Sequence, residues 1–183
     1  HHCLIIDPGA NGKKVVHYLT ENELVPEAVL LTHGHFDHIG AVDYLYEHYH
    51  CPIYLHQDDL EMLDNPQLNL SVYENPFTVK APVQSSHEEM KFGDFDVQWL
   101  HLPGHCPGSS MIYLKDENII FSGDVLFKGS IGRFDFPNSS KYETIESINK
   151  IKEYDFDAVI YPGHGPNSTL SEERLNNPYL KKS

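Results

Sequence analysis

Positive charge is scarce in this chain. Its 13 lysines and arginines face 27 aspartates and glutamates over 183 residues, a formal net charge of -14, and such a field repels phosphate backbones and anionic lipid. Nucleic acid and the membrane surface are therefore not expected as partners. Cysteine is scarce too: Cys3, Cys51 and Cys106 are scattered thiols, an odd count that makes no disulfide framework and fits a reducing compartment. No apolar run nears the roughly 18 residues of a membrane span. No basic-then-apolar leader stands at the start, and the cytoplasm is the expected location. With no short-period repeat, low-complexity tract or linker, one domain over residues 1–183 is the expected organisation. The chain opens on His1-His2, to which no chemistry is assigned, and on strand-like Cys3-Leu4-Ile5-Ile6, as though native residues were missing upstream.

What is present suffices for a core: 40% of residues are hydrophobic and 11% aromatic, a globular composition. The pattern alternates strand and helix signals. Leu4 to Ile6 is a short strand stopped by Asp7-Pro8-Gly9, Lys14 to Glu21 has helical spacing, and Ala28 to Thr32 is a second buried strand. Ile39, Val42, Leu45 and Tyr49 then fall at three- and four-residue steps, which predicts one helix ending near His50. Ile53 to Leu55 is a strand, Gln57 to Leu63 a short helix, and the proline-rich stretch Asp64 to Pro82 an irregular lid. Sheet signals run from Phe92 to Phe121. Ser140 with Glu143 caps a helix through Ile151, Ala158 to Tyr161 is a last strand, and Thr169 with Glu172 caps a closing helix.

Thirteen histidines are far above ordinary usage, and imidazole is a common ligand of zinc and similar ions. Position separates the informative ones. His33, His35, Asp37 and His38 crowd into six residues directly after a buried strand, where loops of α/β proteins present ligands. Three imidazoles and a carboxylate this close make sense when neutral nitrogens and an anionic oxygen share cations. Pro103-Gly104-His105-Cys106-Pro107-Gly108 and Tyr161-Pro162-Gly163-His164-Gly165-Pro166 are glycine-rich turns that each present one histidine after a strand. Ser122-Gly123-Asp124 offers a carboxylate in the same way. His17, His48, His50, His56, His87 and His101 lack partner spacing and read as surface or core residues, with His56, which follows a strand, the one to watch.

Together the His33-Gly34-His35-Phe36-Asp37-His38 motif and these three turns resemble the metallo-β-lactamase superfamily. The segments Ser122-Gly123-Asp124-Val125-Leu126-Phe127 and Gly132-Arg133-Phe134-Asp135 are similar to its short glyoxalase II-like subgroup. The resemblance implies a four-layer αββα sandwich, here expected to lack N-terminal strands, because members usually begin with another hairpin before the Asp7-Pro8-Gly9 turn. It also implies a dinuclear site with His33, His35 and His105 on one ion, Asp37, His38 and His164 on the other, and Asp124 bridging both. Zinc is the expected metal, with iron or manganese as alternatives. Asp7 is expected to support the site by hydrogen bonding. Cys106 stands where the subgroup usually has threonine and reads as a small residue that supports a ligand or packs beside it, with oxidation sensing as the other reading.

Two cations sharing a water bring its pKa toward neutrality, so the resemblance implies hydrolysis by a metal-bridging hydroxide oriented by Asp37 and Asp124. No serine–histidine–acid set or dedicated general acid is evident. That suits a small-molecule thioester, whose thiol, with pKa near about 8.5, departs without a proton. Few residues follow His164, so the helical substrate platform of full glyoxalase II is not expected, and Lys128 and Arg133 are the residues named for a substrate carboxylate, with an Arg133–Asp135 pair as the other reading. Two alternatives stand beside the hydrolase. One is a mononuclear iron persulfide dioxygenase using His33, His105 and Asp124; the other is a non-catalytic metal-binding module.

Overall fold

The computed structural model describes residues 1–181. In chain order the main elements are β1 (His2–Ile6), α1 (Gly12–Glu21), β2 (Val25–Leu30), α2 (Phe36–Ile39), α3 (Val42–Tyr49), β3 (Ile53–Leu55), α4 (Leu60–Asp64), β4 (Val83–Ser85), β5 (Glu89–Phe92), β6 (Phe95–His101), β7 (Ser110–Leu114), β8 (Ile119–Gly123), β9 (Leu126–Phe127), β10 (Ser130–Ile131), α5 (Lys141–Lys152), β11 (Val159–Pro162), β12 (Ser168–Thr169) and α6 (Leu170–Asn176). One sheet has the order β1-β2-β3-β4, the other β12-β11-β8-β7-β6-β5, with β9 and β10 as a separate hairpin. None of the described helices is long and apolar enough to cross a membrane.

Alternation along the strands builds the layers. In and after β2, Val29 and Leu31 face Leu19, Val42 and Leu45 from the helices, while Ala28 and Leu30 face Trp99, Ile112 and Leu114 of the other sheet. Met111 and Tyr113 of β7 point the opposite way from Ile112, toward Ile148 and Ile151 of α5. Three apolar clusters thus fill three interfaces between four layers, and the architecture is the expected αββα sandwich. In the first sheet β1 is an edge, paired in parallel with β2 alone. The capping residues act as read: Ser140 Oγ accepts from Glu143 N at 3.2 Å and Thr169 Oγ1 from Glu172 N at 3.1 Å.

The structure differs from the sequence reading in three places. The helix expected from Ile39 to Tyr49 is two helices, because Ala41 N turns aside to donate to Pro8 O at 2.9 Å. A side chain at Gly40 would strike the Gly9 carbonyl oxygen, and one at Gly9 the Asp37 carbonyl oxygen. The stretch expected as a lid is pinned: Phe36 N donates to Asn69 O at 2.8 Å, Asn69 Nδ2 to Phe77 O at 3.2 Å, and Lys80 N and Ala81 N each to Asp43 Oδ1 at 2.8 Å. Side-chain amide and carboxylate groups supply here the bonds a ladder would have made. Short strands β4, β9, β10 and β12 had no hydrophobic alternation to announce them.

Candidate metal centre

All four strands of the first sheet pair in parallel, so the residues that follow them leave at one edge. Asp7, the histidine loop, His56 and Ser86 all emerge there. In the second sheet β6 and β8 flank the antiparallel β7, and β11 lies parallel to β8. The His105 turn, Asp124 and the His164 turn therefore leave at one common end as well.

The nitrogens converge in two groups. His35 Nδ1 lies 3.1 Å from His33 Nε2 and 3.0 Å from His105 Nε2. His164 Nε2 lies 3.1 Å from Asp37 Oδ2, and His38 Nε2 is 3.8 Å from that same oxygen. Asp124 stands between them: Oδ2 is 3.6 Å from His105 Nε2 and 3.7 Å from His164 Nε2, and Oδ1 is 3.4 Å from His38 Nε2. All seven residues singled out in the sequence are brought together. His33, His35, His38 and His105 are buried, whereas Asp37 and His164 are exposed and form the open side.

Each buried imidazole is oriented through its far nitrogen, the arrangement that fixes a tautomer for metal binding. Thr32 Oγ1 is 3.1 Å from His33 Nδ1, Asp7 Oδ2 is 2.9 Å from His38 Nδ1, and the Arg133 carbonyl is 2.8 Å from His105 Nδ1. Cys106 Sγ lies 3.4 Å from His35 Nε2. With Nδ1 turned to the other histidines, Nε2 is the His35 nitrogen that faces this sulfur. Cys106 is thus a partner of His35, in keeping with its reading as a small residue that supports a ligand or packs beside it. Burial, with the Asp59 carboxylate, pushes its thiol well above the usual range, so it remains an unreactive S–H.

Electrostatics match a cation site. Burial and neighbouring imidazoles hold His33 well below its ordinary value and His35 at about 3, and burial also lowers His105, so all three are neutral lone-pair donors at neutral pH. Burial would lower His38 as well, but Asp7 and Asp124 outweigh it and push it up to about 10 in the metal-free chain. Burial likewise opposes the ionised form of Asp124, yet His38, His105 and His164 keep its carboxyl below the usual range. His38 Nε2 and Asp124 Oδ1 are buried with no hydrogen-bond partner among the described residues. Such orphaned atoms are costly, and an ion between them satisfies both, so these residues fit a metal.

One brace had no signal in the sequence. Asp59 is fully buried, and its carboxylate accepts from Gly34 N at 3.1 Å and from Gly108 N at 2.6 Å. It ties the loop of His33 and His35 to the loop of His105. Arg133 pairs with Asp135 (Nε to Oδ1, 2.8 Å) and lies 4.5 Å over the Phe136 ring, which itself packs edge-on against His35 and His105. Lys128 is exposed at the tip of the β9–β10 hairpin. His56 and His101 stand apart from the cluster and stack on each other at 3.8 Å.

A family model described as the metallo-beta-lactamase superfamily matches residues 1–164. A probable metallo-hydrolase, YqgX of Bacillus subtilis, is 40% identical over 97% of this chain and 87% of its own length. The hydroxyacylglutathione hydrolase GloC of Haemophilus influenzae is 34% identical over 96% and 86%. Among solved structures, the BLEG-1 B3 metallo-beta-lactamase superposes with a TM-score of 0.92 at 37% identity, covering 99% of this chain and 90% of that one. TTHA1623 in a di-iron-bound form gives 0.86 at 38% identity, covering 96% and 88%.

Proposed function

The chain belongs to the metallo-β-lactamase superfamily, and on that premise we propose that residues 1–183 form one dinuclear hydrolase domain acting on hydroxyacyl thioesters. One observation carries the reading: the Asp124 carboxylate faces both donor groups, 3.6 Å from His105 on one side and 3.7 Å from His164 on the other. In this reading His33, His35 and His105 hold one divalent ion, Asp37, His38 and His164 the other, and Asp124 is shared. Zinc is the first choice for a nitrogen- and oxygen-donor set, with iron or manganese as alternatives. Such ions, when bound, supply Lewis acidity toward a carbonyl and a water acidic enough to attack at neutral pH.

The chain's own groups do the rest. Asp37 and Asp124 accept the hydrogen bonds that orient the attacking water, and Asp7, Thr32, Cys106 and the Arg133 carbonyl keep the four buried imidazoles aimed. Exposed Asp37 and His164 mark the side from which substrate enters. Beyond these groups no side chain is placed as a dedicated general acid among the described residues. A leaving group that departs as an anion suits that, and a thiolate does so more readily than an alkoxide or an amide nitrogen. The relative named as a hydroxyacylglutathione hydrolase supports the same substrate class. Lys128 is the proposed contact for a substrate carboxylate; Arg133, engaged by Asp135, is the weaker of the two.

β-Lactam opening is the second reading, favoured by the likeness to BLEG-1. The experiment combines metal analysis of the repleted protein with assays on a hydroxyacyl thioester, a persulfide and a β-lactam, following thiol release, oxygen uptake and ring opening. Two ions per chain, with thiol release that chelation abolishes, is the expected result. A single iron with oxygen uptake and no thiol release from any thioester would overturn it, and ring opening as the only activity would favour the second reading.

A further inference from the structure

The β9–β10 hairpin pairs with neither sheet. Its two strands match only Phe127 with Ser130 and Leu126 with Ile131, and a ribbon of that length is marginal by itself in water. Yet it forms part of the rim of the metal cluster. The Phe127 ring stands edge-on to that of exposed His164, with 6.2 Å between centroids, and Lys128 is exposed at the turn. The strand that leaves the hairpin then brings the Arg133 carbonyl to His105 Nδ1 at 2.8 Å. The base of the hairpin is fixed by Ser122 Oγ, which donates to Leu126 O at 2.7 Å. Its turn needs a partner from elsewhere.

That partner is the end of the chain. Glu173 in α6 and Asn177 just after it are polar side chains 1% and 0% exposed. Glu173 Oε2 accepts from Gly129 N at 2.8 Å and from Asn177 Nδ2 at 2.8 Å, while Oε1 accepts from Ser168 Oγ. Asn177 Nδ2 also reaches Ser130 O at 3.0 Å and Phe127 O at 3.3 Å. One side chain thus grips the turn by its N–H and the other by the carbonyls on either side of it. Tyr179 N donates to Asn177 Oδ1 at 3.0 Å, which fixes the amide's orientation. Leu170 and Leu180, packed in the same apolar cluster as Leu126, anchor α6 itself. A buried polar network with its members paired specifies one arrangement, and no side-chain hydrogen bond of Glu173 or Asn177 goes to a metal ligand.

We propose that Glu173 and Asn177 are positioning residues that clamp the β9–β10 turn to α6, so that Phe127 and Lys128 form a fixed wall of the substrate entrance. A wall already ordered loses little freedom when substrate binds, so the clamp sets substrate affinity and leaves the reacting atoms alone. The part played by Lys128 rests on the hydrolase reading; the clamp is a property of the fold and is measured separately.

Metal-loaded wild type, Glu173→Ala, Asn177→Ala and Glu173→Gln are compared. Glutamine keeps one oxygen for Gly129 N and Asn177 Nδ2 and can turn its amide to Ser168 Oγ, which also accepts, so it should behave as wild type. In both alanine variants hydrogen exchange over residues 126–131 should rise by about tenfold or more while β7 and β8 keep their protection. KM, read on whichever of the thioester, the persulfide and the β-lactam turns over, should rise by about tenfold, with kcat and metal content within about twofold. Lys128→Ala combined with Glu173→Ala should raise KM by less than the product of the two single effects. Unchanged exchange in both alanine variants overturns the clamp and, should they not fold, so does an unprotected hairpin in the wild type. Raised exchange with unchanged KM, or KM, kcat and metal content failing together, overturns the positioning role. If the wild type releases no thiol, the hydrolase reading fails, while exchange and the KM of the remaining substrate still decide the clamp.

Discussion

Asp59 and Gly108, 49 residues apart, meet through the shortest hydrogen bond in the neighbourhood of the metal cluster, 2.6 Å from Gly108 N to Asp59 Oδ1, while Asp59 Oδ2 holds Gly34 N. One buried carboxylate thereby sets the spacing of the two loops that bring His33, His35 and His105 together. Both acceptor oxygens are needed. Asp59→Asn turns one of them into a donor facing an N–H, and should cost about tenfold or more in metal affinity, the usual scale for a group that supports ligands. Titration with a competing chelator measures this. Unchanged affinity and turnover would show that the brace does not position the ligands.

Asp124→Ala should lower activity and metal content more than His164→Ala does, because Asp124 faces both donor groups and His164 only one. Elemental analysis and thiol release from a thioester, run on the two variants side by side, decide it. Retention of both ions with near-normal turnover in Asp124→Ala would remove its shared role.

In the chelated protein, stability should fall as pH drops below 6.5. His33, His35 and His105 have folded values lowered by burial; the unfolded chain binds protons there first, so their contribution is complete above 6.5 and is lost toward about 3 for His35. His38 has the opposite sign. Its folded value is raised to about 10, so its contribution is complete below 6.5 and is lost as pH climbs toward 10. Asp59, raised to about 7 by burial, favours the acid side and offsets part of the first effect. Urea midpoints of the chelated protein from pH 4 to 10 should therefore peak near neutrality, and a midpoint that climbs steadily toward pH 4 would contradict the three lowered histidines.

Gly9→Ala should destabilise by more than about 2 kcal/mol, because the added carbon meets the Asp37 carbonyl oxygen, which is backbone and cannot swing away. The shift should also disturb metal binding, since Asp7 on this turn holds His38 at 2.9 Å. Thermal melts with and without metal check both. A variant with unchanged melting temperature and metal content would mean the turn relaxes freely.

The seven side chains of the candidate metal site were legible in the chain itself. His33, His105, Asp124 and His164 each follow a run of strand residues and sit in or beside glycine-bearing turns, and hydrophobic periodicity is a local signal that survives without a fold. The α/β class was legible in the same way from alternating strand and helix signals, whereas the four-layer architecture was implied by the family resemblance. Of the partners that aim those donors, Asp7 and Cys106 were legible as supports of the site, while the Arg133 carbonyl facing His105 and Asp59 spanning 49 residues to Gly108 were not. Such bonds depend on where two sheets place their loop ends, which no local pattern encodes. The break at Gly40 came from the close approach of the Asp7-Pro8-Gly9 turn, and the hold on the β9–β10 hairpin from Glu173 and Asn177 at the far end of the chain. Sequence determined which residues could bind metal and on which elements they ride; packing between the sheets alone decided which nitrogen of each imidazole turns inward and what holds it there.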